Sequence, residues 1–201
     1  MGLSIARSDE TQYNPVFQAI MEDIPGGVTL ALGDLKSATE EVKAGAVIGE
    51  GSTAGLFHLI KTAEVYADAE SATILVEKEH EFKVGDFISN GLGSSAIISI
   101  TTTETLYDTI VVTNGLTVSD GDALYQSTSE GVEVADLAYK YTPSAISRNE
   151  AVVTTYSVSG SESQANVSVG AVVRGTVVES LLPFVVTTGI KTALTDRIRF
   201  A

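Results

Sequence analysis

Residues 42–65, VKAGAVIGEGSTAGLFHLIKTAEV, set two short apolar runs on either side of a glycine-rich turn. Val47-Ile48 on one side and Leu56, Phe57, Leu59 and Ile60 on the other are too brief for a helix, and Gly49, Gly51 and Gly55 interrupt any helical period. The pattern reads as a β-hairpin, which needs further strands to be stable. Those strands are written in the same short-run form. Val28, Leu30 and Leu32 alternate with Thr29 and Ala31, and residues 72–86 read as a strand, a charged turn and a second apolar run. Residues 96–100, 109–113, 152–158 and 167–178 are dense in Val, Ile and Thr, the last with Gly170 and Gly175 as bend or bulge positions. Only residues 189–194 suggest a helical turn, ahead of an extended Arg197, Ile198, Arg199 and Phe200. The expected fold class is mainly β: small β-barrel or sandwich units with an extended N-terminal arm.

Three regions are expected. Residues 1–25 form the arm: residues 9–15 are turn-rich, Pro15 disfavours helix at Asn14, and residues 24–27 stop the short apolar stretch at 16–21. Such an arm either orders against a partner or folds back as a strand on its own sheet. Residues 26–71 and 129–201 form a β core, within which the small, acidic residues 63–71 read as a connection. Residues 72–128, with short strands about ten residues apart, form an inserted small β-barrel module. Inside it, Gly85-Asp86 and Gly121-Asp122 each stand just ahead of an apolar run, where Gly permits positive φ and Asp can accept from the turn backbone.

The chemistry available is narrow. There is no Cys, so disulfides, thiolate metal sites and thiol nucleophiles are excluded. A nucleophile–base pair must draw on His58 or His80. His58, beside Phe57, is expected to point outward on a polar face, and His80, in a run of Glu and Lys, to sit at a solvated corner. Residues 49–55 lack the Lys of a phosphate loop and lead into a strand. Asp120-Gly121-Asp122 has no third ligand or bidentate Glu at calcium-loop spacing, so it is read as a turn. With no Trp, seven Tyr and six Phe, the chain is poor in sugar platforms. No catalytic residue, cofactor or metal is expected.

Charge narrows the partners. Twenty-six acids against twelve bases give a net charge of −14, which disfavours direct nucleic-acid contact. Residues 1–139 hold 22 acids and 6 bases, whereas residues 140–201 hold 4 acids and 6 bases, so a slightly basic tail follows an acidic body. That tail suits an acidic neighbour, a second copy or a different protein. No stretch approaches the ~18 apolar residues of a membrane span, and the first twenty residues carry no signal-peptide core, so assembly in a cytoplasm and no membrane partner are expected.

Ala44-Gly45-Ala46-Val47-Ile48-Gly49 followed by Gly55-Leu56-Phe57 resembles the pattern of tailed-phage head decoration and head-fibre-like proteins. The Gly-Asp-led segments within 72–128 and the ending from Val173 to Phe200 are similar to segments of phage structural proteins. The resemblance implies a non-enzymatic, β-rich protein on the capsid exterior of the virion, a homotrimer whose partner is the major capsid protein and whose arm adds to a neighbour's sheet edge. The capsid- or subunit-contact candidates are then Ile5, Arg7, Tyr13, Pro15 and Phe17 in the arm and Arg197, Arg199 and Phe200 in the tail. Two other classes stay open at this point: a surface-exposed ligand- or carbohydrate-binding β module, and a carboxylate-based hydrolase.

Overall fold

The computed structural model describes residues 16–36, 39–158 and 161–201. Among them the chain forms β1 (Phe17–Asp23), β2 (Val28–Leu30), β3 (Glu41–Val42), β4 (Val47–Glu50), β5 (Leu56–Leu59) and β6 (Thr62–Glu64). Next come β7 (Ala69–Glu77), β8 (Phe87–Ser89), β9 (Ser94–Thr101), β10 (Tyr107–Val118), β11 (Ala123–Gln126) and β12 (Thr142–Ser147). The chain ends with β13 (Ala151–Val152), β14 (Thr155–Val158), β15 (Ser161–Gln164), β16 (Val167–Val169), β17 (Ala171–Val177), a 3-10 turn at Glu179–Leu181, one α-helix, α1 (Thr188–Leu194), and β18 (Ile198–Phe200). The protein is mainly β, as its sequence predicts.

The larger sheet has the order β1-β17-β12-β4-β5-β2-β16, with β18 also paired to β17. The hairpin lies near its middle, Ile48 opposite Leu59 and Glu50 opposite Phe57. Its neighbours carry consecutive apolar residues because both faces of the sheet are covered. Ile48, Leu59, Ala145 and Ala171 enter one cluster with Leu30, Leu32 and Val42. The adjacent Val47, Ile60, Ile146 and Val172 enter another with Val186, Ile190 and Leu194. Successive side chains of a strand leave opposite faces, so Ala145-Ile146 supplies one to each cluster. Helix α1 covers the second face with Ile190 and Leu194, one turn apart and both buried, each contributing about 1.5–3 kcal/mol. Its N-terminus is fixed by Thr187, whose side-chain oxygen accepts from the Ile190 N–H at 3.2 Å.

The second sheet runs β6-β11-β8-β9-β10-β7. Its two ends meet: Val65 bridges Val76, and the Tyr66 N–H donates to the Leu75 carbonyl at 2.9 Å. The six-stranded sheet therefore curls into a barrel-like unit whose end strands touch at that bridge, filled by Ile74, Val76, Phe82, Ile88, Ile110 and Leu124. The Gly-Asp turns stand as read: Gly85 and Gly121 have φ of +90° and +81°. Asp86 accepts from the Lys83 N–H at 3.0 Å and Asp122 from the Ser119 N–H at 2.8 Å.

Two expected boundaries move. The barrel starts at Thr62, not at residue 72, because β6 pairs with β11, Ala123 opposite Glu64, and residues 69–71 already belong to β7. Ala63 and Val65 are buried while Glu70 is exposed, and the acidic face hid that alternation. The arm does not extend to residue 25: Val16 is buried and β1 is an edge strand antiparallel to β17, Phe17 opposite Val177 and Ile20 opposite Gly175. A Cβ on Gly175 would lie 2.5 Å from the Ala19 carbonyl oxygen, so the missing side chain is what admits β1.

Candidate functional site

β17 carries a strand on each flank, β1 antiparallel and β18 parallel. Val177 lies between Phe17 and Phe200, and all three join the cluster under α1. Ala19, Thr176 and Arg199 form the next row. Arg197 precedes β18, its carbonyl accepting from the Gly175 N–H at 3.1 Å, and Arg174 stands opposite Glu22. Arg174, Arg197 and Arg199 are exposed, and none makes an ion pair among the described residues. Thus Phe17, Arg197, Arg199 and Phe200 come together on one ladder, with the aromatics serving as half-buried packing. Ile5, Arg7, Tyr13 and Pro15 lie outside the described residues.

A cleft of about 550 Å³ opens between the barrel and the chain that follows β17. Leu182, Pro183, Phe184, Val185 and Val186 make an apolar wall; Thr62, Ala63, Glu64, Glu77, Lys78, Glu79 and His80 face it from the barrel, and Glu179, Ser180 and Ala201 complete the lining. Three of its charges are paired: Lys78 with Asp108 at 2.5 Å, Glu179 with Lys191 at 2.6 Å, and Glu79 with Lys43. Glu64 and Glu77 make no ion pair among the described residues. Partial burial, together with the carboxylates of Glu77 and Asp120, holds the Glu64 carboxyl above its ordinary range.

Behind the cleft, a buried polar network joins the two sheets. The Lys61 side chain is fully enclosed, its Nζ 2.6 Å from Asp86 Oδ2 and donating also to the Asp34 carbonyl. Asp86 Oδ1 accepts from Gln126 Nε2 at 2.8 Å. Burial pulls the Lys61 ammonium below its usual pKa, against the opposing pull of Asp86.

Neither histidine lies where the sequence put it. His58 is not on an outward polar face: its ring stacks on Tyr141 with centroids 3.9 Å apart. Its Nδ1 is 3.3 Å from Asp34 Oδ2 but poorly aligned for a hydrogen bond, and the Tyr141 hydroxyl donates to that same oxygen. Burial lowers the His58 pKa despite Asp34, so the ring is neutral near pH 7. A Cβ on Gly51 would lie 2.6 Å from His58 Nε2, so the distal nitrogen packs against backbone rather than facing a hydroxyl.

His80 is not a solvated corner either. It is 2% exposed, with Nδ1 accepting from the Phe82 N–H at 3.2 Å. Nε2 therefore carries the proton, 3.2 Å from Asp108 Oδ2, although the alignment is too poor to count as a hydrogen bond. Phe82 enters the barrel core two residues on and takes His80 inward with it.

This burial makes a pH prediction. Burial first, then the Lys36 charge, lowers the His80 pKa to about 4. The unfolded chain binds this proton from about pH 6.5 downward while the folded protein does not, so stability is full above that pH and falls as pH drops toward 4. The contribution lost is on the order of 3 kcal/mol. Glu81, whose buried carboxyl is pushed up, titrates in the opposite sense, so the informative quantity is the difference between wild type and His80→Gln. Urea unfolding at pH 7 and pH 4.5 should show a smaller acid loss in the variant; equal losses would remove His80 as the cause.

Among the described residues no group of three His, Asp or Glu side chains is arranged to hold a metal ion. Compared with protein-family models, with curated proteins and with solved structures, the chain matches none.

Proposed function

We propose that this chain is a non-enzymatic structural protein of a tailed-phage head, held on the capsid exterior through its N-terminal edge and present as a homotrimer. The observation that carries the reading is β1. It pairs only with β17 among the described residues, and Ile20 and Met21 are 39% and 75% exposed. A seven-residue strand with one open edge and apolar side chains in solvent is a template for strand addition by another protein. Residues 1–15, with the contact candidates Ile5, Arg7, Tyr13 and Pro15, lead directly into that edge. The barrel's end strands meet through Val65 and Val76, and its clustered apolar side chains are turned inward, which suits it to the outward side.

The non-enzymatic part of the reading is supported by where the polar groups go. The Tyr141 hydroxyl donates to Asp34, the His58 ring is held by stacking on Tyr141, and Lys61 and Asp86 are sealed between the sheets. Many copies, each binding weakly through such an edge, would reach high occupancy on a symmetric shell.

Deleting residues 1–15 tests the division of labour. Because β1 remains, the truncated chain should keep its cooperative melting transition, and losing the arm that leads into the β1 edge should weaken its co-sedimentation with capsids that lack the protein. A truncated chain that still saturates capsids would contradict the role given to the arm.

A further inference from the structure

The ladder leaves Arg174, Arg197 and Arg199 exposed and unpaired among the described residues of a chain whose net charge is −14. The cleft leaves Glu64 and Glu77 likewise unpaired, opposite an apolar wall. An acidic molecule that keeps free guanidinium groups on one surface and free carboxylates in one cleft holds both halves of a contact it does not make within itself. The two halves are close in the fold. Beyond β18 the chain continues extended, the Ala201 N–H donating to the Val177 carbonyl at 2.9 Å. The two-residue period puts Arg199 and Ala201 on one side, and Ala201 lines the cleft.

We propose that the cleft and the arginine ladder are the two sides of a contact between copies of this chain, Arg197 and Arg199 of one copy reaching Glu64 and Glu77 of the next. The inference rests on the multi-copy reading above and names the surfaces that serve it. Arginine suits such a contact because its planar fork meets a carboxylate with two hydrogen bonds and its head is weakly hydrated. Its aliphatic stem can lie along Leu182, Pro183 and Phe184 while the head reaches the acids. Two copies of net charge −14 repel at long range, so the contact between them depends on the local meeting of one copy's arginines with the other's carboxylates.

The test uses the full chain and analytical ultracentrifugation. The wild type should sediment above monomer mass, and its association should weaken as salt rises from 50 to about 500 mM, because exposed pairs are screened over roughly 4–14 Å in that range. The pair Arg197→Glu with Arg199→Glu should weaken association at least tenfold, as should Glu64→Lys with Glu77→Lys. Combining all four in one chain recreates the opposite-sign contact with exchanged signs and should restore association. These side chains are exposed or half-buried, so thermal melting should stay close to wild type and confirm that each variant folds. A wild type that is monomeric at every concentration, pairs that associate like wild type, or a folded four-fold variant that fails to recover would overturn the proposal. A monomeric chain that still co-sediments with capsids would overturn this contact alone and leave the capsid reading standing.

Discussion

Replacing Asp86 with Ala should destabilise the protein by about 3–5 kcal/mol, the usual cost of stranding one partner of a buried ion pair. The remaining Lys61 ammonium would be enclosed with only the Asp34 carbonyl as acceptor, and Gln126 Nε2 and the Lys83 N–H would each lose an acceptor. The effect should be larger than for an ordinary turn residue because this pair lies where the barrel meets the larger sheet. Lys61 sits between β5 and β6, and its own carbonyl accepts from the Gln126 N–H at 3.0 Å. The double variant Lys61→Met with Asp86→Leu removes both charges and should recover most of the loss, since a well-packed apolar pair can equal a buried ionic one. Urea unfolding of the two variants decides the matter. A single variant that costs less than about 1 kcal/mol would mean that water reaches Lys61.

Gly49→Ala should be the other severe change. A Cβ at this position would lie 2.3 Å from the Thr142 carbonyl oxygen and 2.9 Å from its carbon. Both are backbone atoms, so no rotamer change relieves the contact and β4 must move away from β12. The two strands pair through Thr142 opposite Glu50 and Ala145 opposite Ile48, and the sheet there is buried on both faces. The expected cost is about 3 kcal/mol, which lowers the melting temperature by roughly 6–12 °C for a chain of this size. Gly33→Ala is the control: nothing lies within 4 Å of its would-be Cβ and its φ is not in the left-handed region, so it should change stability by less than about 0.5 kcal/mol. Equal melting temperatures for the two variants would show that β4 and β12 are not held as described.

These two positions show what could be read beforehand. The hairpin that contains Gly49 was legible because alternation and turn glycines are local signals, and so were the Gly-Asp turns and the short helix near the C-terminus. The faces were harder. Val47-Ile48 and Ala145-Ile146 look alike whether one or two layers cover them, and only the placement of α1 and the residues around Val186 shows that there are two. The barrel's first strand was missed because Glu64 and Glu70 gave residues 63–71 the look of a linker. The polar network was missed for another reason. His58 and Lys61 lie three residues apart, but Asp34, Asp86 and Tyr141 come from distant parts of the chain, and little in the local sequence marks them as partners. Two weak signals existed: a lone Lys61 between Leu59-Ile60 and Thr62-Ala63, and an Asp86 in a turn whose twin, Asp122, stays outside the core. Of the contact candidates, Phe17, Arg197, Arg199 and Phe200 converge because β17 pairs on both flanks, a topology that local spacing cannot reveal.

The most direct test of the capsid reading is quantitative co-sedimentation of the purified 201-residue chain with expanded tailed-phage capsids that lack it. Saturable binding at a copy number divisible by three per symmetric shell position is the predicted result. A folded, monodisperse chain that stays in the supernatant at every concentration would contradict the account.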